Sequence, residues 1–149
     1  MTATCRQFCC NVTAGYSVTE LFERGYRRLR DAPLALQGPP RVDADGNFAA
    51  FSLDIADGRI LRAGFRSTSC ATLIAYCELV AETVPSFRPA IARALTANEI
   101  VNALPGVPPL KQNRSTLAVA AFHSALNLIP IELGELCYES RLHLRHPAP

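Results

Sequence analysis

The chain has 149 residues, of which 49% are hydrophobic, and a formal net charge of +2 from 15 basic and 13 acidic side chains. This length and apolar content suffice for one domain with a buried core, and the near balance of charges argues against a dedicated nucleic-acid surface. No apolar run approaches the roughly 20 residues of a membrane span, and the first ten residues lack the apolar core of a signal peptide. We therefore expect a cytoplasmic protein with no nucleic-acid or membrane partner, whose six cysteines are thiols or metal ligands rather than disulfides.

The first predicted element is an amphipathic helix that starts with a capping box. Ser17 and Glu20 have the spacing of such a box, and apolar residues follow at helical spacing as far as Leu29. The helix should end near Asp31, before Pro33. Its other face forms either a solvated surface or a docking surface for an acidic partner. That face carries Arg24, Arg27, Arg28 and Arg30.

A β region is predicted from Gly38 to Arg66. Two Asp-Gly pairs, Asp45-Gly46 and Asp57-Gly58, are typical of tight hairpin turns. Between and after them, apolar and polar residues alternate, which predicts strands over about 47–55 and 59–66 and a shorter strand near Val42. The expected result is a small three-stranded antiparallel sheet.

Cys70 lies where the β pattern gives way to a helical one. The apolar spacing after it predicts one buried face of a helix over 70–84, on which Cys77 is a core residue. Ser67, Thr68 and Ser69 offer side chains that could cap this helix. Because the N-terminus of a helix favours negative charge, Cys70 should form a thiolate more readily than an ordinary cysteine.

Helices are predicted from there to about residue 128. A short segment near 89–94 is followed by a second capping box, Thr96 to Glu99, and a helix that leads to Leu104. A last helix over 115–128 should turn four residues inward, namely Leu117, Ala121, Ala125 and Leu128. A small sheet packed against several helices is an α+β fold. We expect one domain over 16–130, between a cysteine-containing tail (1–15) and a C-terminal extension (131–149).

Chemical motifs are scarce in this sequence. It contains neither a glycine-rich phosphate loop nor an HExxH zinc motif. His123 lies in the last predicted helix, where a single histidine is usually structural. Cys137, His143 and His146 have a spacing that fits no common zinc pattern. Cys70 therefore has no obvious base or metal partner nearby in the sequence.

Two stretches carry a family resemblance. "FRSTSCATLIAYCELVAE" (65–82) and "VPPLKQNRSTLAVAAFHSALN" (107–127) resemble the iron–sulfur cluster assembly scaffolds, namely the IscU-type proteins and the NifU N-terminal domains. The similarity extends over roughly 16–127. It implies the SufE/NifU-type α+β fold, a role in cluster assembly or carriage rather than enzymatic activity, and a cysteine desulfurase and an Hsp70-type chaperone as partners. The chaperone would recognise the segment Val107, Pro108, Pro109, Leu110 and Lys111.

The resemblance also implies where a cluster or metal ion would bind. The family holds it with three cysteines, an aspartate and a histidine, and of these only Cys70 is kept. Asp45 and Asn47 stand where the family has cysteine and aspartate, and Asn113 and Arg114 stand where it has histidine and cysteine. Asp45 is either a carboxylate ligand or simply the first residue of its turn. Arg114 would place a positive charge at the position of an iron ion, or would pair with Asp45 or the Cys70 thiolate.

These positions are too few to hold an ordinary iron–sulfur cluster, which needs four ligands, or a closed zinc site. The tail residues Cys5, Cys9 and Cys10 either supply the missing ligands for iron, zinc or a cluster, or are incidental. Three functions follow. The protein is a divergent scaffold or carrier, a thiol protein that accepts a persulfide on Cys70, or an interaction module that has lost metal.

Overall fold

The computed structural model describes residues 16–130. It has five α-helices and four β-strands in this part of the chain, in the order α1, β1–β4, α2–α5. The sheet is antiparallel, and β3 lies between β4 on one side and the two short strands β1 and β2 on the other. The helices are Val18–Arg28 (α1), Ala71–Thr83 (α2), Pro89–Ala92 (α3), Ala97–Ala103 (α4) and Arg114–Leu126 (α5). The strands are Leu36–Gln37 (β1), Arg41–Val42 (β2), Phe48–Ala56 (β3) and Arg59–Ser67 (β4).

The α+β prediction is confirmed, although the sheet has four strands instead of three. The missed strand is β1, whose two residues are too few to show an alternating pattern. The hairpin at Asp57-Gly58 is confirmed, because both residues have positive φ (55° and 71°), as a two-residue turn requires. Phe51 and Phe65 point from the sheet into the core, where the Phe51 ring meets Phe122 of α5 edge-on.

The first helix begins as predicted, because the Ser17 hydroxyl oxygen accepts the Glu20 amide at 3.1 Å. It ends at Arg28, three residues before Asp31. Gly25 brings α1 against α2 so closely that a Cβ there would lie 2.6 Å from the Ile74 side chain. Arg24, Arg27 and Arg30 are exposed, as a solvated face requires, although Arg24 also pairs with Glu82 of α2. Arg28 is half-buried and pairs with Glu78 of α2.

The second helix differs from the prediction of a single buried face. Every residue from Thr72 to Ala81 is buried, because α1, α5 and β4 all pack against it. In α5 the inward positions Leu117, Ala121 and Ala125 are confirmed, but Leu128 lies beyond the end of the helix and is 45% exposed. No helix in the described residues is long and apolar enough to cross a membrane.

Candidate functional site

One end of the sheet brings together the turn before β3, the junction between β4 and α2, and the start of α5. Cys70 is the N-cap residue of α2, and its carbonyl accepts the Ile74 amide at 2.9 Å. The predicted capping by Ser67, Thr68 or Ser69 is wrong. Thr68 instead donates its hydroxyl to the Asn47 side chain at 3.1 Å, so that it links the junction to the turn. The first amides of α2 consequently receive no side-chain cap.

The Arg114 guanidinium lies at the centre of this site. Its Nη1 donates to Asp45 Oδ2 at 3.0 Å and to Asn113 Oδ1 at 3.2 Å. The Cys70 side chain also faces it, and the interactions with Cys70 and then Asp45 raise the pKa of Arg114. The Arg114 side chain is only 14% exposed, whereas that of Asp45 is 60% exposed. The site thus joins the three sequence positions Cys70, Asp45 and Arg114 through one cation.

Asp43 is a further member of the site that the sequence analysis missed. Its carboxylate accepts the backbone amides of Asp45 and Asn47, each at 2.9 Å, and lies 3.6 Å from Arg114 Nη1. Partial burial disfavours its ionised form, but these hydrogen bonds and the Arg114 charge outweigh that effect, so the pKa of Asp43 is lowered. The sequence did contain a signal for this role of Asp43, because an aspartate two residues before Asp-Gly often accepts the amides of its own turn.

The other predicted residues lie elsewhere. Cys77 is fully buried, and burial raises the pKa of its thiol, so it is an unreactive core residue as predicted. His123 lies nine residues after Arg114 on α5, about 13 Å along the helix, and burial lowers its pKa. Cys5, Cys9, Cys10, Cys137, His143 and His146 fall outside the described residues.

The described residues do not fit an iron–sulfur cluster or a zinc ion. Among residues 16–130, no group of three or more histidines, cysteines, aspartates and glutamates is placed to hold a metal ion. Among residues 16–130 Cys70 is the only thiol at the site, and the carboxylates of Asp43 and Asp45 already face the Arg114 guanidinium. A guanidinium cannot be deprotonated in a protein, so it repels any metal ion brought to the same point.

The Val107–Lys111 segment is not extended over its whole length. Pro109–Lys111 forms a single 3-10 turn, and only Pro108 keeps extended angles. Val107 belongs to the core, at 6% exposure, so its side chain is not available to a partner's groove. Leu110, in contrast, is 92% exposed.

These features define an α+β domain. Among the described residues its accessible thiol is that of Cys70, at the point where β4 gives way to α2. Residues 43–130, more than half of the chain, match the family described as NifU-like N terminal domain. The chain therefore belongs to this family of iron–sulfur cluster scaffolds, and the resemblance seen in the sequence is confirmed. No curated protein matches the chain significantly.

Proposed function

We propose that this protein handles sulfur in iron–sulfur cluster assembly, with Cys70 as a persulfide acceptor, and that it does not itself hold a cluster at the family's site. The observation that carries this proposal is the single accessible thiol beside Arg114, in a place that offers no second thiol among the described residues. Transfer of one sulfur atom needs one thiol, whereas a cluster needs about four ligands.

The proposed step is an exchange between two sulfur–sulfur bonds. The Cys70 thiolate attacks the outer sulfur of a persulfide on a cysteine desulfurase, forming a new sulfur–sulfur bond. The bond between the two donor sulfurs breaks, and the donor cysteine leaves as a thiolate that takes up a proton. No net oxidation or reduction occurs. The desulfurase supplies the enzymatic chemistry, and this chain supplies the acceptor.

Positive charge surrounds the Cys70 side chain. The uncapped amides at the start of α2 carry partial positive charge, and the Arg114 guanidinium faces the sulfur. Asp45 and Asp43 compete with Cys70 for the same guanidinium. The acceptor thiol therefore shares one cation with two carboxylates.

Mass spectrometry of the protein after incubation with a cysteine desulfurase and L-cysteine tests the proposal. The Cys70 peptide should gain one sulfur atom, and Cys70→Ser should remove that signal while Cys77→Ala keeps it. Arg114→Ala should slow the transfer, and Asp45→Asn should speed it because the guanidinium then has one competitor fewer. Sulfur that accumulates only on other cysteines would refute Cys70 as the acceptor.

A second candidate is docking of a chaperone through Leu110. Its 92% exposure on a short proline-bounded turn suits an anchor side chain that enters an apolar groove. A peptide of residues 105–113 should bind an Hsp70-type chaperone saturably, and Leu110→Ala should abolish the binding while Lys111→Ala largely keeps it. A peptide that does not bind at millimolar concentration, about −4 kcal/mol, would exclude this segment as a docking motif.

A further inference from the structure

We infer that the Arg114 guanidinium takes the structural place of the metal: it is a built-in cation that ties the three segments of the site together without any metal ion. This inference goes beyond the proposed sulfur transfer and does not depend on it. It concerns what orders the site, whereas the proposed function concerns what Cys70 reacts with.

Arg114 contacts residues from distant parts of the chain. Asp45 lies 69 positions away in the sequence, and Cys70 lies at the start of a different helix. Asn113 adds its side-chain oxygen at 3.2 Å. Carboxylate, thiol and amide groups therefore converge from three separate segments on one positive group, an arrangement that elsewhere gathers around a metal ion.

Arg114 also balances the negative charge of the two carboxylates. Without Arg114, the carboxylates of Asp43 and Asp45 would face each other and the Cys70 sulfur with no cation between them. Asp43 is only 22% exposed in its side chain, and it also holds the turn by accepting the amides of Asp45 and Asn47. Arg114 thus neutralises the residue on which the geometry of the turn depends.

The same contacts explain why a metal ion would not enter. A divalent cation would have to displace the Arg114 guanidinium or share the site with it. The Arg114 side chain is only 14% exposed. The guanidinium is anchored through α5 and stays charged at every accessible pH. Zinc should therefore not order the wild-type site further, and a chelator should not disorder it.

Hydrogen exchange and thermal unfolding of the full chain test the inference. In Arg114→Ala, the amides of the 43–47 turn and of the first turn of α2 should lose protection, and Tm should fall by about 4 °C. The control Arg59→Ala removes another arginine, one that donates to the Ser86 carbonyl away from the site, and should leave both segments protected. Wild-type Tm should be the same with EDTA and with zinc.

A gain of metal binding provides a second test. In the triple variant Asp45→Cys, Asn113→His, Arg114→Cys, the new ligands and Cys70 should bind one zinc ion per chain and raise Tm. Adding Cys70→Ser should remove that effect. Unchanged protection of both segments in Arg114→Ala, zinc stabilisation of the wild type that Cys70→Ser removes, or a folded triple variant that binds no zinc would overturn the inference. If the triple variant does not fold, the Arg114→Ala measurements decide.

Each proposal can fail separately. Failure of Cys70 to accept sulfur would leave the exchange and zinc results unchanged. If Arg114 does not order the site, sulfur transfer would still be measurable, but its rate would not depend on Arg114 as predicted.

Discussion

Replacing Arg28 with alanine should lower the free energy of unfolding by about 3 kcal/mol, because it leaves a buried carboxylate without its partner. The Glu78 side chain is 1% exposed, and its two oxygens accept Arg28 Nε at 2.5 Å and Nη2 at 2.9 Å. Arg28 Nη1 also donates to the Ala63 carbonyl of β4 at 3.1 Å. One side chain thus joins α1, α2 and the sheet. Chemical denaturation with urea measures the loss.

This loss should depend on pH. Burial raises the pKa of Glu78 to about 7, although Arg28 opposes the shift. Removing Arg28 takes away that opposition, so the pKa of Glu78 rises further. A carboxyl group whose pKa is raised in the folded state is neutral there at low pH. It costs stability once the pH rises above the pKa that the same group has in the unfolded chain. The variant should therefore lose more stability at about pH 8 than at about pH 5.

Two further variants serve as controls for Arg28→Ala. Arg62→Ala removes an arginine that is 65% exposed and paired with Asp54, and exposed pairs contribute little. The double variant Arg28→Met, Glu78→Leu removes both charges and should recover most of the stability. A loss in Arg28→Ala that is equal at both pH values would contradict an uncompensated buried carboxylate.

Gly38→Ala should destabilise the protein by about 2 kcal/mol through overpacking. A Cβ at this position would lie 2.8 Å from Ala125 Cα and 2.9 Å from Ala125 N, which are backbone atoms of α5. Gly38 cannot easily retreat, because its amide donates to the Phe51 carbonyl at 2.8 Å. Thermal unfolding should show a clear drop in Tm.

Gly64→Ala is the matched control, because it adds the same methyl group at another position of the sheet. There the nearest atom to the new Cβ would be Ser52 Oγ at 3.4 Å, an ordinary contact. Gly64→Ala should therefore cost much less than Gly38→Ala. Equal losses in the two variants would mean that the close approach of Gly38 to Ala125 of α5 is not the cause.

Local sequence signals predicted the elements of the fold well. The Thr96 capping box forms as expected, with the Glu99 side chain accepting the Thr96 amide. Asp57-Gly58 forms its tight turn. These features depend on neighbouring residues alone, so a sequence contains them directly.

Features that depend on distant contacts were harder to predict. The burial of α2 on all sides results from packing by α1, α5 and β4, and its own residues show only that it is apolar. The pairing of Arg24 with Glu82 and of Arg28 with Glu78 was not predicted, because the partners lie 58 and 50 positions away in the sequence. Charge pairing between helices leaves no periodic pattern in either helix.

The residues of the candidate site were predicted better than their arrangement. The family resemblance identified Cys70, Asp45, Asn113 and Arg114, which the structure brings together around one guanidinium. It did not identify Asp43, because that residue acts through the backbone amides of its own turn. The resemblance gave positions, and the contacts give the reason why those positions do not suit a metal ion.

Cys70 and its neighbours form a metal-free site, so removal of the Cys70 thiol should not change the metal content of the protein. Iron, zinc and acid-labile sulfide should be measured per chain in anaerobically purified wild type, in Cys70→Ser and in a variant that lacks residues 1–12. The truncation reports separately on Cys5, Cys9 and Cys10. We predict that Cys70→Ser leaves the content of iron, zinc and acid-labile sulfide per chain unchanged. A stoichiometric metal ion or cluster in the wild type that disappears in Cys70→Ser would contradict the claim.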